Sequence, residues 1–87
     1  MPPPQDNHDA HGYAERIRDR LPRALRELRQ SRGLSMYALE KKSGVSREMI
    51  RCIEEGAAIP TFHVGARLAH GVGLKLTTLV EKLEDGK

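Results

Sequence analysis

The chain has 87 residues, with 15 Lys and Arg against 12 Asp and Glu, and a single cysteine, Cys52. That length suits one small domain with one core, and a lone cysteine excludes an internal disulfide, so the interior must be apolar and the expected compartment is the reducing cytoplasm. No apolar run reaches the roughly 18 residues of a membrane span, no cationic start leads into an apolar stretch, and no Cys/His spacing suits a metal; cofactor, metal, small-molecule ligand and membrane partner are all expected to be absent.

Residues 1–12, MPPPQDNHDAHG, combine three prolines with polar residues and no apolar periodicity, which predicts a disordered tail. His8 and His11 lie in that tail with no third ligand, a poor metal site. From Tyr13 onward 15 basic residues face 10 acidic ones, a net +5 that favours a polyanionic partner. The only aromatic residues are Tyr13, Tyr37 and Phe62, too few for the stacking platform that single strands need, so duplex is the expected form.

Between Tyr13 and Arg32 the residues Ile17, Leu21, Ala24, Leu25 and Leu28 share one stripe of a helical wheel, which predicts a first helix over about 14–31. Pro22 cannot donate to residue 18, so residues 14–20 are expected to join as an extension through a kink. Arg16, Arg20 and Arg23 stand opposite the stripe and are expected in solvent.

Gly33 closes this helix and Ser35 caps a second over about 36–42, which stops at Gly44. Ser46 caps a third, over about 46–54. At roughly 13 Å, the third helix is long enough for a major groove and too short to be stable alone. Met49, Ile50 and Ile53 define its core face; Arg47, Glu48, Arg51, Cys52 and Glu55 define a free one. An ordinary solvated face has the same periodicity, so the tight turn before it carries the distinction. Cys52 lies in mid-helix beside Glu48, away from the helix-start amides that would favour a thiolate, and is expected as a small contact residue and not a redox switch.

Thr61 caps a fourth helix over about 61–71, in which Gly65 and Gly71 each cost roughly 1 kcal/mol against Ala. Gly73 closes it. Thr77 is expected to cap a last helix over about 77–84, whose apolar face is Leu76, Leu79, Val80 and Leu83.

The stretch 34–56, L-S-x-x-x-L-x-x-x-x-G-V-S-R-x-x-I-x-x-I-E-x-G, resembles the helix-turn-helix of the phage repressor and Cro (XRE) family through Leu34, Ser35, Leu39, Gly44, Val45, Ser46, Ile50, Ile53, Glu54 and Gly56. The likeness continues through Pro60, Thr61, Leu68, Ala69, Gly73, Leu76 and Leu79. It implies an all-α, five-helix repressor-like domain over residues 13–87, its first helix carrying an N-terminal extension. It also implies a nucleoid-associated regulator that binds duplex DNA as a homodimer, paired through residues about 68–84, on a roughly palindromic operator.

By the same resemblance Arg47, Glu48 and Cys52 face bases, and Arg51 lies between bases and backbone. Ser35, Met36, Ser46 and Thr61 stand at the helix starts that meet the DNA, and Arg29 pairs with Glu54 to pin the first helix to the third. The chain departs from the family at Met36, where relatives carry a Gln that touches a phosphate and braces a base-reading side chain. Another departure is Glu40, in place of a small residue, expected to bend toward solvent and widen the crossing of helices two and three. The loop Ala57–Pro60 lacks the basic residues of relatives. No catalytic residue is implied, and the alternative is the same fold used as a protein-interaction module, an antitoxin or adaptor.

Overall fold

The computed structural model describes residues 7–85, with side chains from Asp9 onward. Five helices follow one another: α1 (Asn7–Ser31), α2 (Met36–Ser43), α3 (Arg47–Glu54), α4 (Phe62–Gly71) and α5 (Leu76–Asp85), with no strand among the described residues. The expected all-α, five-helix architecture is therefore the observed one.

α1 starts at Asn7, well before the expected position 14, so residues 7–12 of the presumed tail are helical; residues 1–6 of that tail lie outside the described residues. Pairing within α1 and across to α5 explains the early start. Asp9 stands in the first turn, where a negative charge opposes the helix dipole, His11 Nε2 meets Glu15 one turn on at 3.0 Å, and Tyr13 donates to Glu84 of α5 at 2.6 Å. The helix runs unbroken through Pro22. Proline removes one backbone hydrogen bond there, but Leu21, Leu25 and Leu28 hold the same side of the helix against the core on both sides of the gap.

Leu25, Leu39, Ile50, Ile53, Leu68 and Val72, drawn from all the inner helices and the end of α4, are the largest fully buried side chains. Each contributes on the order of 1.5–3 kcal/mol of burial. Around them α2 packs on α3 and α4, while α1 packs on α3 and α5. The α2–α4 approach is so close that a Cβ at Gly71 would lie 2.7 Å from Leu39 Cδ1 and 3.0 Å from Ser43 Cβ. Gly71 thus does more than weaken its helix: it is the point at which the two helices touch.

Several expectations change in the folded chain. Met49 is 38% exposed and lies at the edge of α3, because α1 and α2 cover only the side carrying Ile50 and Ile53. Arg20 is not left in solvent: its Nη1 donates to the carbonyls of Leu83 and Glu84 at 2.7 and 2.8 Å, satisfying oxygens that a helix end leaves free. Arg16 and Arg23 are exposed. α5 begins at Leu76, its first bond running from Leu79 N–H to Lys75 O (3.1 Å), so Lys75 holds the cap position and Thr77 lies inside the helix.

Candidate nucleic-acid interface

Two serine caps and one glycine position the central helices. Ser35 Oγ accepts from Ala38 N–H at 3.0 Å and Ser46 Oγ from Met49 N–H at 3.1 Å, each satisfying one of the amides that a helix start leaves unpaired. Between them Gly44 adopts φ 75°, and its N–H donates to Glu40 O at 2.8 Å. A side chain at Gly44 would be strained by that φ, and its Cβ would sit 2.5 Å from Arg67 Nη1, which reaches over from α4 to the Ser43 carbonyl at 3.4 Å. The turn is therefore tight by backbone conformation and covered by a cation.

α3 is anchored from below. Arg29 Nε and Nη2 donate to the two carboxylate oxygens of Glu54 at 2.7 and 2.9 Å, and Arg29 Nη1 also donates to Leu34 O at 2.9 Å. The Glu54 side chain is fully buried. Arg26 adds a contact to the Glu54 backbone carbonyl at 3.1 Å. The buried carboxylate stabilises the Arg29 cation, raising its pKa.

The opposite side of α3 is open, and the residues of its free face form two clusters. Glu48, Arg51, Cys52 and Glu55 make the first: Arg51 binds Glu48 through Nη2 and Glu55 through Nη1 (3.0 Å), and the Cys52 thiol donates to Glu48 at 3.4 Å. Arg51, and after it Cys52, hold the Glu48 carboxyl below its usual range. The same hydrogen bond to Glu48 pushes the Cys52 thiol up, with Arg51 acting weakly against it. A thiol kept protonated in this way is a poor nucleophile and a poor redox sensor.

Arg47 belongs to the second cluster, with two residues of α2. Its Nε lies 2.7 Å from Glu40 Oε1, and its guanidinium carbon lies 5.0 Å from the centre of the Tyr37 ring, which also carries Lys41 at 5.2 Å. The Glu40 oxygen is buried and has no aligned hydrogen bond, so the close contact with Arg47 is an ion pair whose N–H points off the axis. Glu40 therefore turns toward α3 and not into solvent as expected. Tyr37 had no assigned role at the site in the sequence, and Glu40 only that of widening the helix crossing, although Tyr37 lies three residues from Glu40 and four from Lys41, which puts all three on one face of α2.

The remaining expected residues divide. Ser35, Ser46 and Thr61 are exposed at the starts of α2, α3 and α4, and Thr61 Oγ1 accepts from Val64 N–H at 3.1 Å. Met36 is half-buried against the core cluster, so its side chain is turned inward from the helix start.

A short helix with an exposed polar face, held across a glycine turn by a second helix and pinned to a third by a buried ion pair, defines a helix-turn-helix DNA-binding domain. The helix-turn-helix family model matches residues 25–79, well over half of the chain. The chain belongs to that family, the XRE or Cro-like regulators, and is a DNA-binding transcriptional regulator of a family that is not one of enzymes. No curated protein and no solved structure matches it. No helix among the described residues is long and apolar enough to cross a membrane. Residues 7–24, most of α1, lie ahead of the family match.

Proposed function

We propose that the protein is a cytoplasmic, sequence-specific regulator that binds a roughly palindromic operator as a homodimer, with α3 in the major groove. The observation that carries this reading is Arg47: it follows the Ser46 cap, its side chain is 60% exposed, and it projects from the end of the recognition helix that enters a groove deepest. Its fork can meet O6 and N7 of a guanine. Glu48 and Cys52 lie on the same open face and stand at neighbouring base pairs, with Arg51 between base and backbone. Ser35 and Thr61 place helix-start amides at phosphates.

Dimerisation is supported by what a single chain leaves uncovered. Leu68, Ala69, Val72, Leu79 and Leu83 are already buried within the chain, so a seam over residues 68–84 retains the partly open Leu74, Leu76 and Val80. Leu76 and Val80 join Ile17, Leu21 and Phe62 around an apolar groove of about 290 Å³ between α1, α4 and α5. Phe62, 81% exposed, and Ile59, 66% exposed, stand at this groove as a protrusion beside a hollow, the arrangement a self-complementary two-fold contact requires. A two-fold pair sets two α3 helices about 34 Å apart, one turn of DNA.

The test is selection of duplexes from a randomised pool, followed by affinities of wild type and Arg47→Ala for the selected and a random duplex across a salt series. Arg47→Ala is expected to weaken the selected duplex about tenfold more than the random one, within the 1–3 kcal/mol range of a bidentate guanine contact. Equal losses, with a salt slope lowered by about one unit, would make Arg47 a phosphate contact. No enrichment from the pool would refute the reading.

A further inference from the structure

We propose that Glu40 and Tyr37 of α2 are specificity-determining positioning residues, which hold the Arg47 guanidinium in the orientation that reads guanine. The inference rests on the DNA-binding reading above and adds to it two residues that touch no base themselves.

A guanidinium presents two usable edges, one made by Nε with an Nη and one by the two Nη atoms together. Glu40 Oε1 lies beside the first, 2.7 Å from Nε, as an ion-pair contact without an aligned hydrogen bond, and the Tyr37 ring lies over the guanidinium with its centre 5.0 Å from the central carbon. No hydrogen bond to a described residue engages Arg47 Nη1 or Nη2, so the end-on fork stays free for the paired acceptors O6 and N7 of a guanine. Arg47 is otherwise a long, 60% exposed side chain with several rotatable bonds, and fixing such a chain on binding costs conformational entropy. Contacts that fix it before DNA arrives remove part of that cost for the guanine-reading pose alone.

The buried Glu40 oxygen strengthens the bias. It is cut off from solvent and lacks an aligned donor, and Arg47 is the cation at hand, so the oxygen favours those Arg47 poses that keep Nε beside it. Glu40 is held in turn on α2, whose start is capped by Ser35 and whose end is set by Gly44. Met36, one turn before Glu40 on the same helix, packs against the core and leaves Tyr37 and Glu40 as the α2 side chains at Arg47.

Charge gives the proposal a distinctive signature. Glu40 is an anion on a DNA-facing surface, so Glu40→Gln should tighten binding to any duplex through electrostatics while reducing discrimination, two effects of opposite sign. A carboxylate with no positioning role would give only the first.

The experiment runs duplex selection from a randomised pool, and affinity measurements on the wild-type-selected and a random duplex, with wild type, Glu40→Gln, Tyr37→Leu, Tyr37→Phe and Glu27→Gln. Glu27→Gln removes the same charge from an exposed position of α1 that pairs only with Arg23, away from Arg47 and Arg51, and should shift both duplexes alike. Glu40→Gln should leave random-duplex affinity equal or higher, cut the selected-to-random ratio about fivefold, and blur the selected sequence at one guanine position per half-site. Tyr37→Leu should also reduce the ratio; Tyr37→Phe should retain it, because the ring and not the hydroxyl faces the guanidinium. Combined with Arg47→Ala, Glu40→Gln should have no further effect on the ratio. Circular dichroism melts separate these effects from loss of fold. An unchanged ratio in Glu40→Gln would overturn the proposal, as would a higher one, which would make Glu40 a competitor that holds Arg47 back. A wild type that enriches no sequence would refute the sequence-specific reading itself, and this inference with it.

Discussion

At the scale of single residues, the pair that most constrains the domain is Arg29 with Glu54. Glu54 has no exposed side-chain surface, and both its carboxylate oxygens are bonded to one guanidinium at 2.7 and 2.9 Å. A buried pair of this kind need not add much net stability, but removing one partner leaves a charge without compensation. Arg29→Met should therefore cost about 3 kcal/mol, the low end of the range for broken buried pairs, because Arg26 Nε remains 3.6 Å from the same carboxylate. Replacing both, Arg29→Met with Glu54→Leu, should recover most of the loss. Urea unfolding measures both, and a single-variant loss under about 1 kcal/mol would show that Arg26 or water compensates the carboxylate. Arg29 and Glu54 were legible as a pair only through family resemblance, since they lie 25 positions apart and no local spacing links them.

Among the helices, two glycines of α4 that look alike in the sequence have opposite surroundings. A Cβ at Gly65 meets no atom within 4 Å, whereas one at Gly71 meets Leu39 and Ser43 of α2 at 2.7 and 3.0 Å. Leu39 is fully buried and cannot yield without disturbing the core. Gly65→Ala should accordingly stabilise the domain by up to roughly 1 kcal/mol through helix propensity, while Gly71→Ala should destabilise it by about 1–3 kcal/mol through overpacking. Thermal melts of the two variants give the sign directly; the same sign for both would contradict the close α2–α4 contact. Ser35, Gly44, Ser46 and Thr61 mark helix boundaries through a cap or a left-handed glycine, signals that are local in the sequence. The boundaries at Asn7 and Leu76 were read poorly, because there the helix is held by tertiary bonds from Tyr13 and by packing of Leu76 on the core, neither of which has a local signature.

For the whole molecule, the basic excess does not amount to a free cationic surface. Much of it is consumed internally: Arg20 and Arg32 bind backbone carbonyls, Arg18 and Arg23 pair with neighbouring acids, and Arg29 is engaged by Glu54. On the open side of α2 and α3, Arg47 and Arg51 are matched by Glu40, Glu48 and Glu55. With these arginines engaged, one copy alone is expected to grip phosphates weakly, so pairing of two copies should matter for affinity. If the groove around Phe62 is the seam, Phe62→Glu should abolish dimers in sedimentation and lower affinity for a two-half-site duplex by at least about tenfold, by loss of the second, effectively intramolecular contact. Affinity for an isolated half-site should change little. Retained dimers in Phe62→Glu would place the seam elsewhere.

What the sequence determined by itself is the set of local decisions: the caps, the glycine turn, the apolar stripes and hence an all-α domain with the short helix of 46–54 presented on a turn. These follow from neighbours within about one helical turn and from backbone conformations that few residues adopt. Tertiary structure alone decided where the arginines that cross between helices go. Arginine side chains reach across helices, so Arg20 closes α5, Arg67 covers the α2–α3 turn, and Arg47 is held by Glu40 and Tyr37, contacts set by which helices pass within side-chain reach and not by spacing along the chain.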